Sequence, residues 1–467
     1  MPRRIALVFL LSALAASAED WPAFRGPNAS GVSLTTGLPT EFGPNKNVVW
    51  KTALPAGHSS PVLQGDRIWL TAFDPDHLYV IALDRATGRI LWRREVPRPR
   101  KQELHKSNSP ASPSVATDGR GNSFAFFTDF GLISYGPDGD ERWRLPLGPF
   151  NNPFGMGSSP VYANGILIQN CDSETGSYLL AVDARTGKEL WRKERPDSTR
   201  GFATPVLWRD QVLIAGTNRF VAYNVKTGAE VWYVSGLTWQ LKPTPAINGD
   251  VAYVLGWAGG ADIGNQEDLP LFADVAKTLD TNKDGKISKA ELTDDRMKKD
   301  FDEADLDRDG GLGPRDWEFY QLKRRSVNSV MAVKLGGKGD VTATNVLWRY
   351  YKSLPNVPSP VWYNGVVYLM KEGGILTALD ATTGKVLKQG RLPGALDYYY
   401  ASPVAADGKL FATSQEGHIS VVNASGAEWE PVARNDMDDE TFATPALADG
   451  RIYVRTRSAL YCFANPK

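Results

Sequence analysis

Histidine is scarce in this chain of 467 residues, which contains only four. They are scattered along the sequence: His58, His77, His105 and His418. No spacing typical of a zinc site or of an activated nucleophile connects any of them. The sequence therefore indicates neither a zinc enzyme nor a hydrolase, and each histidine is interpreted as an ordinary polar residue of a loop.

Cysteine is scarcer still, because Cys171 and Cys462 are the only two in the sequence. They are far apart along the chain and belong to different units of the repeat described below, so a disulfide between them is not expected. Both thiols are predicted to be buried and chemically inert.

Net charge is also absent, because 53 Lys and Arg residues balance 53 Asp and Glu residues. A balanced chain has no overall field that would attract nucleic acid or an anionic membrane, so neither is predicted as a partner. After residue 18, no apolar run reaches the roughly 20 residues that a membrane-spanning helix needs. We therefore expect no transmembrane segment.

Residues 1–18 have the pattern of a secretory signal peptide. Arg3 and Arg4 precede an apolar run over residues 5–16, and Ala16-Ser17-Ala18 offers small residues at a cleavage site. Cleavage after Ala18 predicts a protein that is periplasmic or secreted. A retained anchor is the alternative, although an apolar run of about a dozen residues is short for a membrane span of roughly 20.

Glycine, proline and tryptophan are frequent, with 44, 31 and 14 residues, which favours a turn-rich all-β fold. One short signature, a Ser or Thr followed by Pro, occurs once in each of eight units: Ser60-Pro61, Ser112-Pro113, Ser159-Pro160, Thr204-Pro205, Thr244-Pro245, Ser359-Pro360, Ser402-Pro403 and Thr444-Pro445. Successive signatures are about 40 to 50 residues apart, the length of a four-stranded propeller blade. The exception is one much longer gap between Pro245 and Pro360.

Each unit contains four apolar runs separated by turns rich in Gly and Asp. The third and fourth runs flank a recurring turn, such as residues 84–88, that begins with Asp and ends with Gly. A tryptophan follows the turn glycine at the same distance in several units: Trp92, Trp143, Trp191 and Trp232. A large ring at one place in every blade suits the packing of neighbouring sheets, so these rings are predicted to join blades. Stacking on a cofactor is the alternative.

The last unit, residues 443–465, has only three apolar runs. The missing fourth run is present near the start of the chain, in residues 47–50, which have the same apolar pattern and the tryptophan. The ring of blades is therefore predicted to close by pairing the two ends of the chain, which leaves no open sheet edge.

The segments 82–92 and 181–191, with the sequences ALDRATGRILW and AVDARTGKELW, resemble the tryptophan-docking repeat of pyrroloquinoline-quinone-type (PQQ-type) propellers. Partial copies extend the resemblance over nearly all of the chain outside one insertion. The eight signatures and this resemblance together predict an all-β fold, an eight-bladed β-propeller of four-stranded blades over residues 19–257 and 329–467. The family contains quinoprotein dehydrogenases and also non-enzymatic scaffolds similar to the outer-membrane assembly lipoprotein of the BamB type, so activity stays open.

Residues 258–328 are predicted to form a small α-helical EF-hand pair inserted in blade five. Between residues 262 and 318 there are 17 Asp and Glu against 9 Lys and Arg. Residues 280–291 have oxygen-bearing side chains at loop positions 1, 3, 5, 9 and 12, glycine at position 6 and an apolar residue at position 8, which is the EF-hand pattern. The predicted calcium ligands are Asp280, Asn282, Asp284, the backbone carbonyl of Lys286, Ser288 and Glu291.

A second loop, residues 305–316, follows the same pattern with two departures. Its predicted ligands are Asp305, Asp307, Asp309, the backbone carbonyl of Gly311 and Asp316. Gly313 at position 9 has no side-chain oxygen, and Asp316 at position 12 is shorter than the usual Glu. These departures predict weaker calcium binding and more tolerance of magnesium. The alternative is a vestigial loop that only pairs with the first.

The role of calcium depends on its concentration outside the cell, which is near millimolar, so that an EF-hand loop of ordinary affinity stays filled. A permanent structural ion is therefore predicted, and docking of a partner on the insertion is the alternative. The flanking helices are expected over residues 269–279, 292–304 and 317–324.

In a propeller, the connection from the last strand of one blade to the first strand of the next lines one mouth of the central channel. The residues shortly before the Ser/Thr-Pro pairs are predicted to converge on this rim: His58, Asn108, Met156, Phe202, Trp239, Asn356, Tyr400 and Phe442, with Tyr398 and Tyr399 beside them. Aromatic rings among amides suit a groove for a protein, a peptide or a small ligand. The alternative is that these side chains only cap the core between blades.

The predicted function is an exported, non-catalytic scaffold or binding protein, a monomer with a protein or peptide partner in the cell envelope and calcium in its EF-hand pair. The alternative implied by the resemblance is a PQQ-dependent dehydrogenase, in which the quinone lies between a tryptophan and a disulfide of adjacent cysteines, with a catalytic calcium ion in the channel. This chain has no adjacent cysteines, and its local sequence marks no aspartate as a general base. No catalytic residue is therefore predicted.

Overall fold

The computed structural model describes residues 19–424 and 428–466. The predicted signal peptide, residues 1–18, lies outside the described residues. Eight sheets, each with four principal antiparallel strands, follow one another around a central axis, where first strands of neighbouring sheets contact each other. The predicted fold class, an eight-bladed β-propeller of four-stranded blades, is confirmed.

Blades are numbered in chain order and their strands a to d from the axis outwards. Blades one to four consist of Val62–Gln64, Arg67–Phe73, Leu78–Asp84 and Ile90–Val96; Ala116–Thr117, Ser123–Phe127, Gly131–Tyr135 and Glu141–Pro146; Val161–Ala163, Ile166–Cys171, Tyr178–Asp183 and Glu189–Glu194; and Val206–Trp208, Gln211–Gly216, Arg219–Asn224 and Glu230–Ser235. Blades five to eight consist of Ala246–Asn248, Val251–Gly256, Ser329–Lys334 and Val346–Tyr350; Val361–Tyr363, Val366–Lys371, Ile375–Asp380 and Val386–Arg391; Val404–Ala406, Lys409–Thr413, His418–Asn423 and Glu430–Asp436; and Ala446–Ala448, Arg451–Arg455, Ala459–Ala464 and Val48–Ala53. A short strand, Gly339–Asp340, extends the outer edge of blade four in parallel.

Neighbouring blades share their hydrophobic cores, which explains why strands b and c are apolar on both faces. In strand c of blade one, Val80 packs in a cluster with Phe127 of blade two. The next residue, Ile81, packs in a cluster with Tyr453 of blade eight. Because successive side chains of a strand point to opposite faces, one strand contributes to two interfaces between blades.

The tryptophan of strand d docks on the turn between strands c and d of the next blade. The indole nitrogen of Trp143 donates a hydrogen bond to the backbone oxygen of Ala184 at 3.0 Å, and its ring covers Gly187. Equivalent hydrogen bonds join Trp50 to Arg85, Trp92 to Pro137, Trp191 to Val225 and Trp348 to Ala381. Trp232 differs, because it donates to Gln211 of its own blade. The predicted joining of blades by these rings is observed.

Substitution of Gly187 by Ala should lower the free energy of unfolding by about 3 kcal/mol. Gly187 has a φ of 73°, and an added Cβ would lie 2.6 Å from the Trp143 ring. Gly165→Ala is the matched control, because Gly165 has a φ of 89° but no atom within 4 Å of an added Cβ, so that about 1 kcal/mol is expected. Urea unfolding measures both losses. Equal losses would show that crowding against Trp143 adds nothing to the destabilisation by Gly187→Ala.

The ring of blades closes through the two ends of the chain. Val48–Ala53 forms strand d of blade eight and pairs in antiparallel fashion with Ala459–Ala464. The predicted closure is confirmed, and the strand extends beyond the expected residues 47–50. Because the first and last strands pair, blade eight has the same four strands as the others.

The long gap in the repeat lies between strands b and c of blade five, Val251–Gly256 and Ser329–Lys334, which pair directly with each other. Three helices occupy it: α1, Phe272–Leu279; α2, Asp295–Ala304; and α3, Pro314–Arg325. Between the helices, two short strands pair in antiparallel fashion, Ile287–Ser288 with Gly311–Leu312. A short helix, α4, Thr342–Asn345, precedes strand d, and a turn of 3-10 helix spans Pro27–Ala29.

The three helices of the insertion begin at other residues than the sequence pattern predicted, and for α2 and α3 the first residues explain the difference. Helix α2 begins at residue 295 rather than 292, because Asp294 accepts a hydrogen bond from the N–H of Met297 at 2.7 Å and so acts as its N-cap. Helix α3 begins at Pro314 rather than 317, since proline suits the first position of a helix.

Within the described part of the chain, no helix is long and apolar enough to cross a membrane. Both cysteines are free and buried, as predicted. Cys171 lies in the core between blades two and three, and Cys462 lies in the core around blade eight. Burial raises the pKa of the Cys171 thiol to about 12, so this thiol stays protonated at neutral pH.

Candidate functional site

A closed ring of eight hydrogen bonds joins the starts of the first strands. In each blade, a Ser or Thr hydroxyl oxygen accepts a hydrogen bond from the backbone N–H of the corresponding residue in the preceding blade, at 2.9–3.2 Å. The members of this hydroxyl ring are Ser60, Ser114, Ser159, Thr204, Thr244, Ser359, Ser402 and Thr444. All are buried, so the hydroxyl supplies the acceptor that a buried N–H requires.

Blade two joins the hydroxyl ring through Ser114 and not through Ser112, the residue of its Ser-Pro pair. Ser114 accepts the N–H of Ser60 and donates its own N–H to Ser159, both at 2.9 Å. The hydroxyl oxygen of Ser112 instead accepts the N–H of Ser109 at 3.0 Å. The signature is therefore shifted by two residues in this blade, because closure of the ring requires the hydroxyl and not the proline.

A cavity of about 370 Å³ opens at the mouth of the channel beside the hydroxyl ring. Six of the predicted rim residues line it: His58, Asn108, Phe202, Asn356, Tyr400 and Phe442. Phe154, Gln240, Lys242 and Trp257 contribute further side chains to the lining. The cavity therefore combines aromatic faces with amides and hydroxyls, and its volume falls in the range of small ligand pockets.

Two predicted rim residues, Met156 and Trp239, do not line the cavity, so the prediction is wrong for these two. Met156 is buried in the core between blades two and three, where its N–H donates to the Thr128 hydroxyl at 3.2 Å. Trp239 is covered by the insertion and meets Phe319 of α3 edge to face, with ring centroids 5.9 Å apart. The neighbours of Tyr400 also differ, since Tyr399 is buried and Tyr398 is exposed.

Lys242 is a rim residue that the sequence pattern did not bring out. It lies two residues before the ring member Thr244, at the same offset that separates His58 from Ser60. In an extended segment, residues two apart face the same side. Lys242 and His58 therefore each face the same side as their ring member, and both line the cavity. Applying this offset in every blade would have selected Lys242 rather than Trp239.

The N-terminal segment closes the far end of the channel, which the repeat pattern did not indicate. It contacts first strands on opposite sides of the ring, pairing Trp21 with Leu63, Asn28 with Leu207 and Val32 with Ala405. Phe24 lines the cavity, and the adjacent Arg25 is fully buried, with its Nη2 donating to the backbone oxygen of Pro360 at 2.8 Å. Within the described residues, the N-terminal segment therefore bounds the end of the cavity opposite the rim.

His58 contributes a flat, uncharged surface to the rim. Its imidazole stacks on Phe442, with ring centroids 4.0 Å apart and an interplanar angle of 9°. Burial, reinforced by the charges of Arg455 and Arg457, lowers the pKa of His58 to about 3. The ring is therefore neutral at physiological pH.

Acidification should destabilise the protein through His58. An unfolded histidine has a pKa of about 6.5, whereas the folded value is about 3, so only the unfolded chain gains this proton between the two values. The contribution of the neutral His58 to the free energy of unfolding is fully present above pH 6.5. Below that pH it falls by at most about 1.4 kcal/mol per pH unit. In urea unfolding at pH 7.5 and 5, His58→Phe should lose less stability than the wild type, while the exposed control His105→Phe should match it. An unchanged loss in His58→Phe would contradict the assignment.

The first EF-hand loop turns its oxygen side chains inwards. The N–H of Asp284 donates to the side-chain oxygens of Asp280 and Asn282, at 3.2 and 3.0 Å. Glu291, at position 12, accepts hydrogen bonds from the N–H of Ser288 at 2.8 Å and from the N–H at loop position 2 at 2.9 Å. These hydrogen bonds, led by that from Ser288, lower the pKa of Glu291 to about 2. The carboxylate therefore stays ionised, as a calcium ligand must.

The second EF-hand loop repeats these contacts with its shorter carboxylate. Asp316 accepts the N–H of Gly313 at 2.9 Å and that of Leu306 at 3.0 Å, which are the equivalent loop positions. Asp316 is buried, and burial raises the pKa of its carboxyl. Gly311 pairs with Ser288 of the first loop, so the two loops are joined in the manner of an EF-hand pair.

Three carboxylates of the second loop converge on one point. Oxygens of Asp305, Asp307 and Asp309 lie within 4.8 Å of one another, so that one cation could contact all three. The Lys286 side chain of the first loop pairs with Asp309. An all-oxygen donor set of this kind fits calcium or magnesium, and so does that of the first loop.

Arg200 joins the insertion to the rim of the propeller. Its Nε donates to Glu174 of blade three at 2.6 Å, and its Nη2 donates to the backbone oxygen of Glu303 in α2 at 2.9 Å. The rings of Trp239 and Phe319 lie over the guanidinium, 5.6 and 5.4 Å from their centroids. The insertion therefore rests on the face of the propeller that carries the cavity.

The second EF-hand loop lies against the propeller, whereas the tip of the first is exposed. Asn151, in the linker before blade three, donates its side-chain N–H to the backbone oxygen of Leu306 at 2.9 Å. Residues 281–285 of the first loop are exposed to solvent. The two loops therefore have different surroundings despite their similar internal contacts.

Comparison with known proteins finds two family models. The model described as outer membrane protein assembly factor BamB matches residues 43–152, 129–266 and 327–465. The EF-hand model matches residues 277–294, which include the first loop. The matches to the first model leave out residues 267–326, which contain the match to the second.

Two curated relatives match only short segments. A lanthanide-dependent methanol dehydrogenase of Methylacidiphilum fumariolicum is 35% identical over 83 residues, 15% of this chain and 13% of that protein. The quinohemoprotein alcohol dehydrogenase ADH IIB of Pseudomonas putida is 32% identical over 103 residues, 19% of this chain and 14% of that protein. The chain thus spans less than a sixth of the length of either relative.

Solved structures share the fold at low sequence identity. BamB from Moraxella catarrhalis superimposes with a TM-score of 0.53 at 14% identity, over 86% of this chain and 97% of that chain. A europium-containing methanol dehydrogenase superimposes with a TM-score of 0.59 at 11% identity, over 96% and 98%. At these identities the likeness shows the propeller fold alone. The family model, in contrast, covers nearly all of the chain outside the insertion, and the chain belongs to the family of the outer membrane protein assembly factor BamB.

Proposed function

We propose that this chain is an exported, non-catalytic binding protein of the cell envelope, which holds part of a protein or peptide partner, or a small ligand, at the mouth of its channel. The observation that carries the proposal is the cavity beside the hydroxyl ring, open at one mouth and lined by aromatic rings, amides and hydroxyls. Such a lining suits binding by stacking and hydrogen bonding. Among the described lining residues there is no Asp or Glu that could act as a general base.

Export and a partner in the envelope are parts of the same proposal. Export is supported by the signal-peptide pattern of residues 1–18. Membership of a family described by assembly at the outer membrane supports a protein partner there.

A double substitution at the rim tests the proposal. Tyr400→Ala with Phe442→Ala removes two adjacent rings, whose centroids are 5.4 Å apart, and should reduce capture of envelope proteins or peptides by purified protein at least about tenfold. Leu190→Ala is the control, because Leu190 is exposed on the outer strand of blade three and does not line the cavity. Thermal unfolding verifies that the variants fold. Undiminished capture by the double variant would contradict the proposal.

Calcium binding by the EF-hand loops is also proposed, with the ion in the first loop as a structural element of the insertion. The EF-hand match and the inward-turned carboxylates support it. Removal of calcium with EGTA should accelerate proteolysis within residues 258–328, because the loops would lose the ion that holds their ligands together. Unchanged cleavage would oppose a structural ion and favour the alternative, docking of a partner on the insertion.

The second candidate function is that of a PQQ-dependent dehydrogenase, and the short matches to two dehydrogenases favour it. The residues of the cavity do not fit a quinone with a catalytic metal. No carboxylate lines the described cavity, and the thiols of Cys171 and Cys462 are buried inside blades. Added PQQ should therefore keep its absorbance spectrum. A saturable spectral change that is lost in Phe442→Ala would overturn this expectation.

A further inference from the structure

Lys242 brings an amino group into the cavity, and its hydrogen-bond partners carry no charge that would balance its protonated form. Its Nζ donates to the side-chain oxygens of Gln240 and Asn356, at 2.6 and 2.8 Å, and lies 5.7 Å from the centre of the Trp257 ring. Two neutral oxygens and an aromatic face orient the ammonium without neutralising it. Because an ammonium has three N–H donors, one remains for a ligand.

The negative charge that acts on Lys242 from the insertion is engaged elsewhere. This charge is that of Glu303, whose carboxylate pairs with Arg200 at 3.2 Å and with Lys323. Burial lowers the pKa of Lys242 to about 7, with Glu303 opposing the shift and Arg200 adding to it. A carboxylate from a ligand would favour the charged form of Lys242.

The described lining of the cavity carries no negative charge, since it contains no acidic side chain. At the closed end, the buried Arg25 has two guanidinium nitrogens, Nε and Nη1, without a hydrogen-bond partner in the described chain. Burial lowers the pKa of Arg25 to about 9, which leaves it charged at neutral pH. The described lining of the cavity therefore contains no negative charge that would repel an anion.

The surface beside the mouth favours a polypeptide over a small molecule. Leu396 and Tyr398 are 74% and 63% exposed, and they belong to the linker between blades six and seven that also carries the rim residue Tyr400. A small molecule inside the cavity would leave these apolar side chains in water. A polypeptide that inserts one side chain into the cavity would cover them.

From these charges and surfaces we infer that the channel mouth binds an Asp or Glu side chain of a polypeptide partner, with the carboxylate on Lys242 and adjacent apolar residues on the rim aromatics. The inference rests on the proposed function and specifies its ligand. A carboxylate and an ammonium form a charge-assisted hydrogen bond, which is stronger in a partly dehydrated cavity than on an open surface.

Selection from phage-displayed random peptides tests the inference without knowledge of the natural partner. On the wild-type protein, peptides with Asp or Glu beside an apolar or aromatic residue should be enriched. Synthetic versions of the enriched peptides should bind at least about tenfold more weakly when the acid is replaced by its amide, and when Lys242 is replaced by Met or Gln. Lys352→Met is the matched control, since Lys352 is an exposed lysine in the linker that carries Asn356.

The outcomes separate this inference from the proposed function. Enrichment of acidic peptides that depends on Lys242 and not on Lys352 supports the inference. Neutral peptides that compete for the cavity and are lost in the Tyr400→Ala, Phe442→Ala double variant would overturn the inference and leave the proposed function standing. If no enriched peptide depends on Tyr400 and Phe442, the inference would be overturned, and so would the peptide-binding part of the proposed function. Measuring two replacements of Lys242 that differ in polarity, with thermal unfolding of each, separates lost binding from misfolding.

Discussion

Replacing Glu291 by Gln should raise the dissociation constant for calcium at the first EF-hand loop at least about tenfold. Glu291 closes this loop from position 12, where hydrogen bonds from Ser288 and Thr281 hold its carboxylate in place. The amide has the same size, but it has neither the negative charge nor the second oxygen that a bidentate ligand needs. Calorimetric titration of calcium into protein that has been treated with a chelator measures the change.

The control for this substitution makes the same Glu-to-Gln change at a position outside the EF-hand loops. Glu318 lies on α3, is exposed and belongs to neither loop, so Glu318→Gln should bind calcium as the wild type does. Any weaker binding phase of the second loop should persist in Glu291→Gln, because its carboxylates belong to Asp305, Asp307 and Asp309. If Glu291→Gln and Glu318→Gln gave the same titration, the assignment of the ligand would be wrong.

Replacing Arg200 by Met should lower the free energy of unfolding by about 3–5 kcal/mol, the usual cost of removing one partner of a buried ion pair. The side chains of Arg200 and Glu174 are 3% and 1% exposed, so the substitution leaves the carboxylate of Glu174 without its counter-charge and out of water. It also removes the hydrogen bond to the backbone of Glu303. Urea unfolding measures the loss, and limited proteolysis reports whether the insertion leaves the rim.

The loss should diminish at low pH, which identifies Glu174 as its source. Burial raises the pKa of Glu174 and Arg200 opposes the rise, so removing Arg200 should raise this pKa further. A carboxyl group whose pKa is higher in the folded than in the unfolded state binds its proton more tightly in the folded state. As pH falls through the folded pKa, protonation therefore favours folding, and the variant should recover stability relative to the wild type.

Two further variants complete the test of Arg200. Arg315→Met is the control, because Arg315 is exposed and donates only to backbone oxygens, including that of Glu174 at 3.5 Å; less than about 1 kcal/mol is expected. Adding Glu174→Gln to Arg200→Met should recover part of the loss by removing the unpaired charge. Equal destabilisation by Arg200→Met and Arg315→Met would contradict the predicted role.

The fold was predictable because every blade repeats the same contacts with its neighbour. The hydroxyl at the start of strand a, the glycine that ends the turn and the tryptophan of strand d each contact a neighbouring blade, as Trp143 contacts Gly187. Contacts that repeat from blade to blade appear in a sequence as a period. The EF-hand loops were recognisable for a related reason, since their ligand positions lie within twelve residues.

The candidate site was predictable only in part, because it depends on which way each linker turns. Six of the eight predicted rim residues line the cavity, but Trp239 lies under the insertion and Met156 lies in a blade core. The equivalence of Ser114 to the other members of the hydroxyl ring was hidden by the neighbouring Ser112. The sequence did not indicate Lys242, because a single lysine in a loop forms no motif and its surroundings depend on the tertiary structure.

The sequence by itself determined the number of blades, the closure of the ring by residues near both ends and the positions of the EF-hand loops, since these depend on short or periodic spacings. Only the tertiary structure decided that the N-terminal segment closes one end of the channel, that the insertion rests on the rim and that Lys242 enters a cavity with no acidic side chain among its described lining residues. Contacts such as that of Arg25 with Pro360 join residues far apart in the chain, and they occur once. A contact that neither repeats nor lies close in sequence leaves no pattern by which it could be predicted.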